Sequence, residues 1–216
     1  MERQDIIKAL QAAREQSKER NFSQTVDLIV ALRGLNLKKP DEQVDFYVSL
    51  PHETGKKRKV CALVGPEMAD KAKEVCDTVV TQAEFDQYKE KKAAKKLADS
   101  HDYFIAQSDI MPKVAGAFGR VLGPRGKMPN PKAGCILAPK AAVQPVVDSL
   151  QKLAKVTAKK QLAIQLPVGN EQMSDEEIAE NIHTVYDQLI HHLPAEQNNI
   201  RHVFVKLTMG KPAHIS

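Results

Sequence analysis

Hydrophobic positions along this chain follow two different rhythms. Towards both ends they alternate with polar ones. Thr25–Leu32 places Val26, Leu28, Val30 and Leu32 on one side, and residues 44–50 place Val44, Phe46, Val48 and Leu50 opposite Asp45, Tyr47 and Ser49. Leu162, Ile164 and Leu166 alternate with Ala163 and Gln165, and Val203, Val205 and Leu207 alternate with His202, Phe204, Lys206 and Thr208. A period of two predicts strands with one face buried. Two amphipathic helices accompany them. One spans residues 5–18, with Ile6, Leu10 and Ala13 on one face; the other opens with a Ser174–Glu177 capping box and is lined by Ile178, Ile182, Val185 and Leu189.

The middle of the chain reads differently. Residues 60–65, 78–81, 103–107 and 134–139 are short, nearly continuous apolar runs, as expected of parallel strands covered on both faces. Helical patterns separate or follow them at 66–75, 83–99, 109–122 and 141–155. Strand–helix alternation predicts an α/β block. The expected architecture is therefore an α+β terminal domain (a split β-α-β arrangement, antiparallel sheet with two helices) carrying an inserted α/β parallel-sheet domain. The terminal domain is assigned to residues 1–64 and 157–216, and the insertion to residues 65–156.

Charge adds a leaning towards nucleic acid. The chain has 216 residues, 42 % hydrophobic, with a net charge of +5. Residues 1–64 carry 12 basic and 9 acidic side chains, residues 65–156 carry 15 and 11, and residues 157–216 carry 5 and 7. Much of the last acidity lies at the start of one helix, where carboxylates complement the dipole. The opposite sheet face is left with Lys206 and the cationic loops 33–39 and 56–59. Aromatics are scarce (5 %) and Trp is absent, against a stacking platform for single strands. The lysine run at 89–96 reads as the wet face of a helix.

Catalytic and metal chemistries find no support. Cys61, Cys76 and Cys135 lack CxxC spacing and read as reduced thiols of a cytosolic protein, Cys135 as a small core residue. The seven histidines show no metal-ligand spacing, and His191 and His192 suit a helix end. No GxSxG, GxGxxG or complete phosphate-binding loop occurs. No stretch predicts a leader or membrane span. The expectations are no enzyme activity, no cofactor, no metal and no membrane.

Residues 119–131, Gly-Arg-Val-Leu-Gly-Pro-Arg-Gly-Lys-Met-Pro-Asn-Pro, join a helix to a strand. Three Gly and three Pro in thirteen residues end any helix. Arg120, Arg125, Lys127 and Lys132 leave this loop, which is either a well-specified turn with solvated charge or a phosphate-facing loop. Gly123-Pro-Arg-Gly126 is also a GxxG, so a KH-like module binding single-stranded RNA is the alternative reading. That module needs a second helix directly after the loop, which Pro129-Asn130-Pro131 opposes.

These motifs, with Phe22-Ser-Gln-Thr-Val-Asp27, Leu50-Pro-His, Thr54-Gly-Lys and Thr208-Met-Gly210, run through nearly the whole chain in one order. In that order the chain resembles the large-subunit ribosomal protein L-one family, archaeal-type, the proteins of the mobile stalk beside the tRNA exit site. The resemblance implies cytoplasmic, ribosome-bound protein that is a monomer off the ribosome. It implies binding to folded large-subunit ribosomal RNA, exit-site tRNA as a further binding partner, and translational repression through the protein's own messenger RNA. The contact residues it implies are Phe22, Thr25, Thr208, Met209 and Gly210; Ser23, Lys39, Lys206 and Lys211 join the expected RNA-binding set by position and charge, with Arg120, Arg125, Lys127 and Lys132 as an auxiliary basic loop. A hydroxyl and exposed amides at Thr208–Gly210 suit ribose 2′-hydroxyls. Lys211 stands where relatives are expected to have Pro.

Overall fold

The computed structural model describes every residue except Glu19, Lys140 and Ser216, and Lys89 by its backbone only. The chain divides into two units, Met1–Lys56 with Lys152–Ser216, and Lys57–Gln151. The first unit begins with α1 (Arg3–Glu15), β1 (Thr25–Leu32) and β2 (Val44–Ser49). The second contains β3 (Val60–Val64), α2 (Pro66–Val75), β4 (Thr78–Thr81), α3 (Lys91–Ser100), β5 (Tyr103–Gln107), α4 (Met111–Leu122), β6 (Ile136–Leu137) and α5 (Gln144–Gln151). The chain then returns to the first unit with β7 (Leu153–Ala158), β8 (Ala163–Asn170), α6 (Asp175–His192), β9 (Ile200–Leu207) and β10 (Ala213–Ile215).

In the first unit, β1 is central, with its alternate residues buried. It pairs antiparallel with β8 on one side and β9 on the other, and β10 closes the sheet beside β9. Val26, Leu28, Val30 and Leu32 point into a core filled by Ile6, Leu10 and Ala13 of α1 and by Ile178, Ile182, Val185 and Leu189 of α6. Each Val, Leu or Ile side chain among them contributes about 1.5–3 kcal/mol on burial. The two helices pack against each other and cover one sheet face only. The helix α6 starts at the expected capping box: Ser174 Oγ accepts from Glu177 N at 3.3 Å, and Glu177 Oε2 accepts from Ser174 N at 3.2 Å. A separate ribbon, β2 paired antiparallel with β7, adds Val44, Val48, Ala154, Val156 and Ala158 to the same core.

The second unit is a parallel sheet in the order β4-β3-β5-β6. All five residues of β3 are buried, which explains its unbroken apolar run. Cys61, Leu63, Phe104 and Ala106 face Ala94 and Leu97 of α3 and Val114 and Phe118 of α4.

Four details differ from the sequence expectation. The helix expected over 83–99 is a 3-10 segment, Gln82–Lys89, followed by α3, with Glu90 extended between them. Phe85 and Tyr88 stand three apart, one turn of a 3-10 helix, and each ring lies 5.4 Å from that of Phe118. The helix expected to run to residue 155 stops at Gln151, because Ala154, Val156 and Ala158 alternate inward as β7. The strand expected at 134–139 shortens to Ile136–Leu137, since Gly134 (φ +69°) closes a preceding 3-10 turn. The boundaries expected at 64/65 and 156/157 also move. The strand β3 pairs within the parallel sheet and β7 pairs with β2, so the division falls at 56/57 and 151/152.

All three thiols are buried in the second unit. Burial pushes Cys61 up to about 12 and Cys76 up to about 11, and also raises Cys135. A thiolate is the reactive form. Thiol titration with a chromogenic disulfide at pH 8 should therefore register almost no reaction in the native protein, and three thiols once denaturant opens this unit. Rapid native modification of two or more would contradict the packing.

Candidate nucleic-acid interface

The antiparallel sheet ends in a polar rim built from the start of β1 and the turn after β9. Thr25 N donates to Thr208 Oγ1 at 3.0 Å, and that hydroxyl donates to Thr25 O at 3.2 Å. Thr208 N also donates to Thr25 O at 3.0 Å, and Gly210 N closes the turn on Leu207 O at 2.9 Å. Lys206 Nζ donates to Thr208 O at 3.0 Å. Beneath the rim Gln24, only 2 % exposed, accepts the Met209 amide on Oε1 at 3.1 Å. Phe22 and Met209 stand on this rim 51 % and 61 % exposed, so Phe22 is not packed as a staple in front of the strand. Ser23 and Lys211 are exposed beside them. A Cβ on Gly210 would lie 3.3 Å from Leu207 Cβ, which leaves little room for any larger residue in the turn.

Two details alter the sequence expectation. The Thr208 hydroxyl is engaged with Thr25 on both sides; its donor is used, and one lone pair remains to accept from a ribose hydroxyl. Lys39 lies beyond Leu32, at the far end of β1, about 23 Å of strand from Thr25. It pairs with Glu42 at 3.1 Å and does not join the rim.

The sheet face opposite the helices continues this surface. Strand registry aligns Lys206, Asp27 and Pro167 in one row; His214, Phe204, Ile29 and Gln165 in the next; and His202, Ala31 and Ala163 in a third. All of them are at least partly exposed. His202 Nδ1 and His214 Nε2 are 3.2 Å apart, and the Phe204 ring lies 5.2 Å from that of His214. Burial raises the Asp27 carboxyl, while a hydrogen bond from Gln165 and the charge of Lys206 hold it down in part. Asp27, Phe204, His202 and His214 were absent from the sequence-derived set, although the alternation at 201–208 already placed two of them beside Lys206.

In the second unit, most of the basic loop turns inward. Gly126 takes φ +66°, and Lys127 N donates to Leu122 O at 3.0 Å. Lys127 Nζ donates to the carbonyls of Ala98 (2.7 Å) and His101 (2.6 Å), capping the negative end of α3. Arg125 pairs with Asp99 at 3.0 Å. A Cβ on Gly123 would lie 2.7 Å from Gly119 O, so close approach rather than RNA accounts for that glycine. Arg120 and Lys132 are exposed and have no such partner among the described residues. After the GxxG comes a single 3-10 turn at Pro131–Ala133, not the helix a KH-like module requires.

Among the described residues, no cluster of three or more His, Cys, Asp or Glu is placed to hold a metal, and no helix is long and apolar enough to cross a membrane. The class so defined is a two-unit mixed α/β protein, with an antiparallel sheet open on one face and a separate parallel sheet. The chain belongs to the Ribosomal protein L1p/L10e family, which matches residues 13–211. It is 43 % identical over 209 residues to the large ribosomal subunit protein uL1 of Methanobrevibacter smithii, covering 96 % of each chain. Identity to the uL1 of Methanothermococcus thermolithotrophicus is 40 % over 216 residues, covering 100 % of this chain and 99 % of that one. For Pyrococcus horikoshii uL1 it is 37 % over 216 residues, covering 99 % and 96 %. The chain is thus an archaeal-type member of a family of ribosomal proteins, not of enzymes.

Proposed function

We propose that this chain is a structural protein of the large ribosomal subunit, working in the cytoplasm on the ribosome, and that it binds a folded region of large-subunit ribosomal RNA. The terminal unit carries recognition. The observation behind this reading is the Thr25–Thr208 clasp, which presents Phe22, Met209 and Gly210 on one exposed rim continuous with the open sheet face. Exposed backbone at 208–210 suits close approach to a sugar–phosphate chain, and the remaining Thr208 lone pair accepts from a ribose 2′-hydroxyl. Phe22 and Met209 exclude water around those bonds. Lys206, Lys211 and the neighbouring lysines supply the salt-dependent part of affinity. No cofactor is needed. The split β-α-β reading of this unit belongs to the same proposal, as do the mobile stalk, exit-site tRNA, repression of the protein's own messenger, and a monomeric state off the ribosome.

Binding of the full chain to a large-subunit ribosomal RNA fragment, with an unrelated hairpin as control, tests this reading. The expected result is at least tenfold preference for the ribosomal fragment, retained at moderate salt. Equal affinity for both would remove it. Thr208→Val should weaken the specific complex by about 1–3 kcal/mol, since the RNA donor loses its acceptor. Because the same hydroxyl clasps Thr25, the variant should also lose about 0.5–1.5 kcal/mol of stability in urea unfolding.

A further inference from the structure

The second unit has a cavity of about 430 Å³ lined by Tyr88, Lys91, Gly116, Ala117, Arg120 and Val121. It lies between the 3-10 segment, the first residue of α3 and the outer face of α4. From this cavity we infer a second nucleotide-binding site, which takes one base and its phosphate from an RNA strand or a free nucleotide.

Four observations support the site. The volume suits a nucleotide and exceeds what a bare phosphate fills. Lys91 and Arg120 carry no ion pair with a described carboxylate, whereas Arg125 and Lys127 close by are both tied down. Lys91 opens α3 behind Glu90 at the N-cap, and the first turn carries Lys92 and no carboxylate, so cationic charge gathers at this end of the helix. Finally, Gly116 sits inside α4, where glycine is less stable than alanine, yet a Cβ there would meet nothing within 4 Å. That glycine leaves the helix backbone open on its side of the cavity, where a flat group can lie.

The chemistry assigns the parts. The Tyr88 ring, held by Phe118 at 5.4 Å, offers one face to a base. Ala117 and Val121 supply the apolar wall. Lys91 and Arg120 receive the phosphate, Arg120 by its two-pronged guanidinium. Base stacking of this kind tolerates any base, so the site adds affinity and not sequence choice. It is independent of the rim on the terminal unit and stands without that reading.

The test follows amide resonances of the full chain during titration with 5′-AMP, adenosine, inorganic phosphate, a hexameric single-stranded RNA and a polyglutamate peptide. AMP should shift Gly116, Ala117 and Tyr88 in a saturable way below 10 mM. Adenosine and phosphate should each bind at least threefold more weakly, and the hexamer at least tenfold more tightly than AMP if the natural source is an RNA strand. Tighter AMP than hexamer would assign the site to free nucleotide. Gly116→Leu intrudes into the cavity where the base would lie and should raise or preserve the melting temperature while abolishing the AMP shifts. Arg120→Glu should weaken AMP at least tenfold. The inference falls if AMP leaves these resonances unmoved, if folded Gly116→Leu still binds it, or if polyglutamate competes as well as the hexamer. Thr208→Val should leave AMP binding unchanged, and Gly116→Leu should leave the specific ribosomal-RNA preference unchanged; this separates failure here from failure of the rim.

Discussion

Gln24→Leu is expected to weaken ribosomal-RNA binding by about 10- to 100-fold, which is about 1.4–2.8 kcal/mol, while the sheet stays folded. The residue is buried at the meeting point of three segments. Its amide donates to Glu171 Oε2 at 3.0 Å, its carbonyl accepts from Glu171 N at 2.9 Å, and its side chain reaches Met209 N and Ser17 Oγ at 3.1 Å each. Leucine has nearly the same volume and keeps both backbone bonds. It deletes only the two side-chain bonds, and the Met209 amide then has no partner inside the protein. An unpaired amide beside an exposed side chain turns towards water, and the turn carrying Met209 and Gly210 loses its fixed geometry. Gln24→Glu keeps the acceptor for Met209, and Ser17 can donate to the carboxylate, so this variant should recover most of the affinity. Filter binding at one fixed salt concentration, with circular dichroism as the folding control, reads the effect. Affinity of the leucine variant within twofold of wild type would show that the turn does not depend on Gln24.

Alternation explains why the strands at the chain ends were legible. In β1 and β9 one face is buried and the other is not, so the period of two is written directly into Val26-Asp27-Leu28-Ile29-Val30 and Val203-Phe204-Val205-Lys206-Leu207. In β7 the signal is weaker. Ala154 and Ala158 are small, and Leu150 immediately upstream completes a helical spacing, so the helix–strand junction near Gln151 was hidden. The three-residue β10 follows Pro212 and owes its existence to the exposed edge of β9, a tertiary cause with no local pattern.

The candidate site was legible in part through the family resemblance. It marks Phe22, Ser23, Thr25 and Thr208–Gly210, and the fold brings them together because β1 and β9 pair antiparallel with Val26 opposite Leu207. The role of Gln24 carried no such mark: a glutamine before a strand looks solvated, and only the fold buries it. The basic loop misled in the other direction. A lysine's charge is visible in a sequence, but whether it faces a phosphate or the end of a neighbouring helix, as Lys127 faces α3, is decided by packing.

Asn181→Ala should destabilise the terminal unit strongly, by about 3–5 kcal/mol. Asn181 lies on the inner face of α6 with no solvent exposure. Its Oδ1 accepts from His52 N at 3.0 Å, and its Nδ2 donates to His52 O at 3.1 Å and Val168 O at 2.8 Å. One side chain thus satisfies both backbone groups of His52, in the segment after β2, and one carbonyl of β8. Alanine leaves a small void and three polar groups without partners. The neighbouring pair offers little relief: His52 Nε2 meets Glu180 Oε2 at 2.8 Å, but at a part-exposed site. The hydrogen bond from His52, then the charge of Arg3, holds the Glu180 carboxyl below its usual range. Its stabilising effect is present at neutral pH and fades as pH falls through that depressed value, so acid adds to the loss in the Asn181→Ala variant. Asn181→Asp should behave differently. It keeps the acceptor for His52 N but sets a buried carboxylate against two carbonyl oxygens, which raises its affinity for a proton. That variant should be the weaker of the two at pH 7 and regain stability relative to Asn181→Ala as pH falls and the carboxyl protonates into a donor. Urea unfolding followed at pH 7, pH 5 and pH 3, with thiol titration reporting separately on the unit of Cys61, Cys76 and Cys135, measures both effects. A loss below about 1 kcal/mol for Asn181→Ala would mean that water replaces all three bonds.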